Sequence, residues 1–220
     1  MTKLILIRHC QTDFSKKKLY CGHLDIPLNR TGILQARCLN KVFKKMPLSA
    51  VYTSDLARTR ETADIAFRGN RVTTVEDKRL REINLGLWEG LSSKQISKNH
   101  SKEYSRWLKN PKNSNIPRGE KLLSFRKRVK SFLKDVLNLP GLKSGDFCEG
   151  LKKQKGKNIA VVSHSGPIKI ILFEVLGMDL KFFWKFNPEL AAISVVELYD
   201  NFSVLKCFND TSHLNKLRKA

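Results

Sequence analysis

Arg8-His9 closes an apolar run from Lys3 to Ile7, and His164 closes a second run from Ile159 to Ser163. Arg58 opens a helix-like segment that follows a third run, Ala50 to Thr53. Two arginines and two histidines in one pocket make a strong anion site. Guanidinium forks match phosphate oxygens two at a time and keep their charge at any ordinary pH. A histidine in such a pocket can attack phosphorus and carry the phosphoryl group covalently. The remaining catalysis is largely positioning, with cations neutralising charge on the equatorial oxygens. A departing alkoxide also needs a proton, and Glu82 in Leu80-Arg81-Glu82-Ile83-Asn84 is the candidate general acid. Its carboxyl has to be tuned upward by burial or neighbours to serve near neutral pH.

These side chains are far apart in sequence, so the fold must bring them together. The three runs are short and nearly continuous in apolar residues, the pattern of strands covered on both faces. Two more strands are expected at Ile193 to Leu198 and at Val204 to Cys207. Helical spacing runs from Thr31 to Phe43, from Leu56 to Phe67 behind a candidate Ser54 or Asp55 cap, and from Leu122 to Leu137. A fourth helix is expected from Ile168 to Leu176, with Pro167 in its first turn. This alternation predicts an α/β domain with a mainly parallel sheet and helices on both faces. Ligands of such sheets bind beyond the carboxyl ends of the strands, where Arg8, His9 and His164 fall. The polar stretch from Leu91 to Pro117 reads as an inserted helical cap, the insertion as a whole being expected over about 91–135. The Gly- and Lys-rich stretch of about 140–157 reads as a surface loop. A chain of 220 residues suits one domain spanning 1–220.

A composition of 41% apolar and 28% charged residues is that of a globular chain, and no stretch reaches the roughly 18 apolar residues of a membrane span. The opening MTKLILIRHC lacks the pattern of a signal peptide, so a cytoplasmic protein without a membrane partner is expected. The five cysteines are odd in number and scattered, which gives no disulfide framework. With no CxxC pair and no HExxH element, neither a metal nor another cofactor is expected. The formal charge of +22 makes anions natural partners: phosphate esters, nucleic acid or an acidic surface. The basic residues lie in short scattered clusters such as Lys16-Lys17-Lys18 and Arg126-Lys127-Arg128, so charge supports a phosphate ligand without naming one.

Arg8-His9-Cys10-Gln11-Thr12 resembles the RHGxT signature of the histidine phosphatase (phosphoglycerate mutase-like) superfamily. Further blocks follow in the family's order. They are Tyr20 to Leu28 with Gly32 and Gln35-Ala36, Thr53 to Ala63, Leu80-Arg81-Glu82 with Gly86 and Trp88-Glu89-Gly90, Pro117 to Glu120 with Phe125 and Arg128, and Val162 to Gly166. Order and coverage, about residues 3 to 215, make the match specific where one pentapeptide would not. The resemblance implies a doubly wound α/β core and a metal-independent reaction on a small phosphorylated substrate. It implies His9 as nucleophile, Arg8, Arg58 and His164 as phosphate ligands, and Glu82 as proton donor and later base. It also implies that Thr12, Ser15, Cys21, Gly22 and Ser165 contact the substrate. Within the superfamily, Tyr20 to His23 and Asn209 to Leu214 are similar to the α-ribazole phosphatases of cobalamin assembly.

Four positions depart from the family pattern. Cys10 stands where the family usually has Gly, and a side chain there could crowd the phosphate loop or expose it to oxidation. Ser15 stands where many members have Asn, Ser165 replaces a Gly, and Lys121 replaces a Ser or Thr. None removes a charged catalytic group. Three alternatives stay open: a phosphoglycerate mutase using the same residues, a catalytically silent relative, and a nucleic-acid-binding protein. For the last, no recognition helix, RNA-binding aromatic pair or zinc module is present, so nucleic acid is not an expected partner. The substrate and the oligomeric state stay open too.

Overall fold

A computed structural model describes residues 1–137 and 156–218 of the chain. Its centre is a six-stranded sheet made of β1 (Thr2–Arg8), β2 (Ala50–Thr53), β3 (Thr74–Glu76), β4 (Asn158–Ser163), β5 (Ile193–Leu198) and β6 (Ser203–Asp210). The strand order is β3-β2-β4-β1-β5-β6. β1 to β4 pair in parallel, whereas β5 runs antiparallel to β1 and β6 antiparallel to β5. The edge strand β3 was not expected from the sequence; it is three residues long and exists by its pairing with β2.

Helices α1 (Asp13–Lys16) and α2 (Arg30–Phe43) follow β1, and α3 (Ala57–Ala66) follows β2. Between β3 and β4 lie α4 (Ser93–Asn99), α5 (Ser101–Lys109) and α6 (Leu122–Val136). α7 (Ser165–Leu176) follows β4, and α8 (Asn215–Arg218) comes last. Alternate residues of each strand serve opposite faces. Leu4, Leu6, Ile159 and Val161 join the apolar cluster under α6 and α7. Ile5, Ile7, Ala160 and Val162 join the one under α2 and α3. Fully burying such a side chain stabilises by about 1.5–3 kcal/mol. The strands that carry the histidines are therefore among the firmest parts of the molecule.

The insertion expected over 91–135 divides in two. α4 and α5 sit over the cluster through Ile96, Tyr104 and Trp107. α6 instead belongs to the layer against the sheet, where Phe132 meets Tyr52 of β2 edge-on at 5.4 Å between ring centroids. The expected loop at 140–157 falls outside the described residues except for its last two positions.

The cap of α3 differs from expectation. Neither Ser54 nor Asp55 is the N-cap of α3; that residue is Leu56, without a side-chain cap bond. The N–H of Ala57 is taken by the carboxylate of Asp25 at 2.6 Å, a cap supplied from a distant loop. Asp55 is occupied by Arg81, which donates to both its oxygens at 2.7 and 2.6 Å. The N-cap of α6, Lys121, makes no side-chain cap bond, as the loss of a Ser or Thr there implies. Among the described residues no helix is long and apolar enough to cross a membrane.

Candidate active site

The loop after β1 is pinned from three sides. The N–H of His9 donates to Ser163 O at 2.8 Å, that of Cys10 to Thr62 Oγ1 at 3.0 Å, and that of Gln11 to Gln35 Oε1 at 2.8 Å. Gly32, in the first turn of α2, is a contact point: a Cβ there would lie 2.1 Å from Gln11 O. Thr12 then caps α1, accepting from the N–H of Ser15 at 3.1 Å while its own N–H donates to Ser15 Oγ at 2.9 Å. Ser15 is thus used to shape the loop.

His9 is buried, and its Nδ1 lies 2.8 Å from Cys10 O. A carbonyl oxygen only accepts, so Nδ1 carries the proton and the lone pair is on Nε2. Burial first, then Arg58 and Arg8, hold His9 well below its ordinary pKa, so the ring is neutral near pH 7. His164, whose ring centroid is 5.2 Å away, is buried and neutral for similar reasons: burial, Arg58 and His9. Its tautomer is the opposite one. Arg58 Nε donates to His164 Nδ1 at 3.2 Å, and the proton therefore sits on Nε2, a buried donor with no acceptor among the described residues.

Arg58 is itself buried and held firmly, donating from Nη1 to Leu24 O at 2.7 Å and from Nη2 to Gly22 O at 2.8 Å. Three of its five N–H groups are used, which leaves one on each terminal nitrogen for a ligand. Arg8 donates from Nη1 to Pro188 O at 2.7 Å, and its buried Nε has no partner among the described residues.

Glu82 reaches the same place from the loop before α4. Its Oε1 accepts from the N–H of Ile83 at 2.9 Å and its Oε2 from that of Gly166 at 3.2 Å. It pairs with neither neighbouring arginine, since Arg81 is engaged by Asp55 and Arg79 by Asp77 and Asp135. The backbone behind it is clamped: Glu82 O accepts from Arg128 Nη2 at 2.8 Å and from His23 Nε2 at 2.9 Å. Arg128 also donates to Arg79 O and Arg81 O, each at 2.7 Å, which makes it the organiser of this loop.

A cleft of about 700 Å³ is lined by Arg8, His9, Thr12, Ser15, Cys21, Gly22, Arg58, Glu82, His164 and Ser165, the whole set singled out in the sequence. Cys10 does not line it. Its side chain is fully buried in the cluster under α2 and α3, and burial pushes its thiol up to about 12. It neither crowds the loop nor offers a thiolate to oxidants. His23 and His213 also stay out of the cleft. Trp88 is a packing residue, but Trp184 is 41% exposed and lines the opening, with Trp107 and Phe183 beside it. Lys169 was missed altogether, although its signal was in view: it is the lone cation in the apolar helix Ser165–Leu176. Among the described residues, no three His, Cys, Asp or Glu side chains are grouped to hold a metal ion.

A sheet of this order, with two histidines, two arginines and a carboxylate gathered in one cleft beyond the ends of its strands, has the make-up of a phosphoryl-transfer enzyme. The histidine phosphatase superfamily (branch 1) matches residues 4–211, and the chain belongs to it. Phosphoserine phosphatase 1 of Hydrogenobacter thermophilus is 30% identical over 216 residues, covering 98% of this chain and 96% of that protein. An adenosylcobalamin/α-ribazole phosphatase of Salmonella typhimurium is 28% identical over 207 residues, covering 94% and 96%. The solved structure of a phosphoserine phosphatase mutant from Entamoeba histolytica in complex with phosphoserine matches with a TM-score of 0.80 at 27% identity. It covers 97% of this chain and 100% of that one.

Proposed function

We propose that this protein hydrolyses small phosphate monoesters through a phosphohistidine on His9, without a metal ion. The observation that carries the reading is the pair of opposed tautomers. His9 offers a lone pair on Nε2, while His164 offers a proton on Nε2 beside it. One can attack phosphorus while the other holds a phosphoryl oxygen.

In the first step the Nε2 lone pair of His9 forms the N–P bond as the ester P–O bond breaks. Arg8, Arg58 and His164 take the charge on the phosphoryl oxygens, and protonated Glu82 gives its proton to the leaving oxygen. In the second step Glu82, now a carboxylate, takes a proton from water as that water attacks phosphorus. The N–P bond breaks, inorganic phosphate leaves and His9 is neutral again. Thr12, Ser15, Cys21, Gly22 and Ser165 wall the seat. The backbone hydrogen bonds of Ile83 and Gly166 to Glu82 supply the fixed geometry such transfers need. Phosphoserine and α-ribazole phosphate, the esters in the names of the relatives, are the two candidate substrates.

The experiment is hydrolysis of p-nitrophenyl phosphate from about pH 5 to about pH 8, with and without chelator, for wild type and His9→Ala. Chelator-resistant turnover that vanishes in the variant is the expected result. Turnover that survives His9→Ala, or that stops with chelator, overturns the reading. Stimulation by a bisphosphorylated primer would point to a mutase instead.

A further inference from the structure

We propose that Lys169, with the rings of Phe183 and Trp184, forms the subsite for the leaving group, and that it selects esters whose leaving group carries a carboxylate. The proposal rests on the phosphate seat assigned above and names what lies next to it.

Lys169 stands one turn into α7 from Ser165, is only 6% exposed and lines the cleft. Its Nζ lies 4.7 Å from the ring centroid of Phe183 and 5.2 Å from that of Trp184. Those ring faces give a cation partial compensation for lost water. Among the described residues it has no ion pair and no hydrogen bond. Glu174, five residues further along the same helix, shows the contrast: it is just as buried, yet ion-paired with Arg126 and with Lys130, the latter at 3.2 Å. Where α7 buries a charge for the fold alone, the fold supplies the counter-charge. A buried cation without one is unfavourable, and an anion arriving with the ligand removes that cost.

Position narrows the ligand. Lys169 lines the same cleft as Arg8, His9 and Glu82, on the helix whose Gly166 N–H holds Glu82, so it borders the reaction centre. Glu82 is not its partner among the described residues: its carboxylate accepts instead from the N–H groups of Ile83 and Gly166. The phosphoryl group itself is provided for by Arg8, Arg58 and His164. A second anion, close to the phosphate on a short leaving group, fits this place. Burial pulls the ammonium down to about 8, which still leaves it mainly protonated at neutral pH. An ester such as α-ribazole phosphate, whose leaving group has no carboxylate, would leave Lys169 unanswered.

Phosphoserine and phosphoethanolamine differ by the carboxylate alone and make a matched pair. Their affinities are measured by calorimetry on full-length His9→Ala protein, so binding is read whether or not the chain is a catalyst. Turnover of p-nitrophenyl phosphate by wild type reports separately on the phosphatase reading. Phosphoserine is expected to bind at least ~10-fold more tightly, an advantage lost on adding Lys169→Met and partly kept with Lys169→Arg. Equal affinities in the His9→Ala protein overturn the proposal with no need for a Lys169 variant. A parallel loss for both esters on adding Lys169→Met also overturns it, because it would make Lys169 a phosphate ligand or a packing residue.

Discussion

Arg58 and His164 are joined by a hydrogen bond of 3.2 Å from Nε to Nδ1, so one side chain sets the tautomer of the other. The same guanidinium reaches Gly22 O and Leu24 O, tying the loop after α1 to the strand-end histidine. A lysine has one nitrogen and cannot span three acceptors. Arg58→Lys is therefore expected to lower kcat/KM on p-nitrophenyl phosphate by ~100-fold or more, the scale of losing a preorganised oxyanion donor. Thermal unfolding should move down as well, because buried carbonyls lose their donors. A loss of less than about fivefold in kcat/KM would remove Arg58 from the transition state.

Gly166 gives a second test, directed at Glu82. A Cβ at position 166 would lie 2.2 Å from Glu82 Oε1 and 3.0 Å from the Phe125 ring. Gly166→Ala must push the carboxylate aside, since a ring wedged in the core moves less readily. Alkyl phosphates, whose leaving groups need a proton, should then lose more kcat than p-nitrophenyl phosphate. Glu82→Gln should give the same pattern. Equal losses on both kinds of ester in Glu82→Gln would mean that Glu82 is not the acid.

Cys10 answers a question that residue type alone left open. Its thiol is buried behind the loop and held up at about 12, so the native chain carries no thiolate there. Iodoacetamide is expected to leave Cys10 unlabelled in the folded protein, read by mass spectrometry, and to label it in urea. Cys10→Ala should cost about 1 kcal/mol of stability for the lost packing. Labelling of Cys10 in the folded chain would show that the loop opens.

What could be read in advance was what buried strands announce about themselves. β1 and β4 are covered on both faces, so their runs of apolar residues end abruptly where the chain turns to chemistry at Arg8-His9 and at His164. That these strand ends meet at one cleft was legible for that reason. β3 was not, because Thr74–Glu76 has no pattern of its own, and Val75 is 48% exposed. The cap of α3 was not either, because Asp25 acts from a loop that only the fold brings near. The direction in which Cys10 points is likewise a property of the turn after β1. Lys169 was visible but unreadable: a lysine in an apolar helix has meaning only once its neighbours are known.

The two buried histidines also make stability depend on pH. Both are held well below the ordinary value of 6.5, His9 by burial with Arg58 and Arg8, His164 by burial with Arg58 and His9. Half-buried His23 shifts the same way. Above that value the imidazoles are neutral in the folded and the unfolded chain, so they do not tilt the balance. Below it the unfolded chain takes up protons that the folded one refuses, and stability falls as pH falls. Each fully uncoupled histidine contributes up to about 1.4 kcal/mol per pH unit. The urea midpoint is expected to drop between about pH 7 and about pH 5, a window well above that of Asp55, whose carboxyl Arg81 holds below 3.8. His9→Gln should flatten the curve in that window, and saturating phosphate should flatten it in wild type, because a bound anion makes an imidazolium tolerable. If the wild-type midpoint does not change over that range, the histidines take up protons in the folded chain as freely as in the unfolded one. Neutral His9 would then owe nothing to its two arginines.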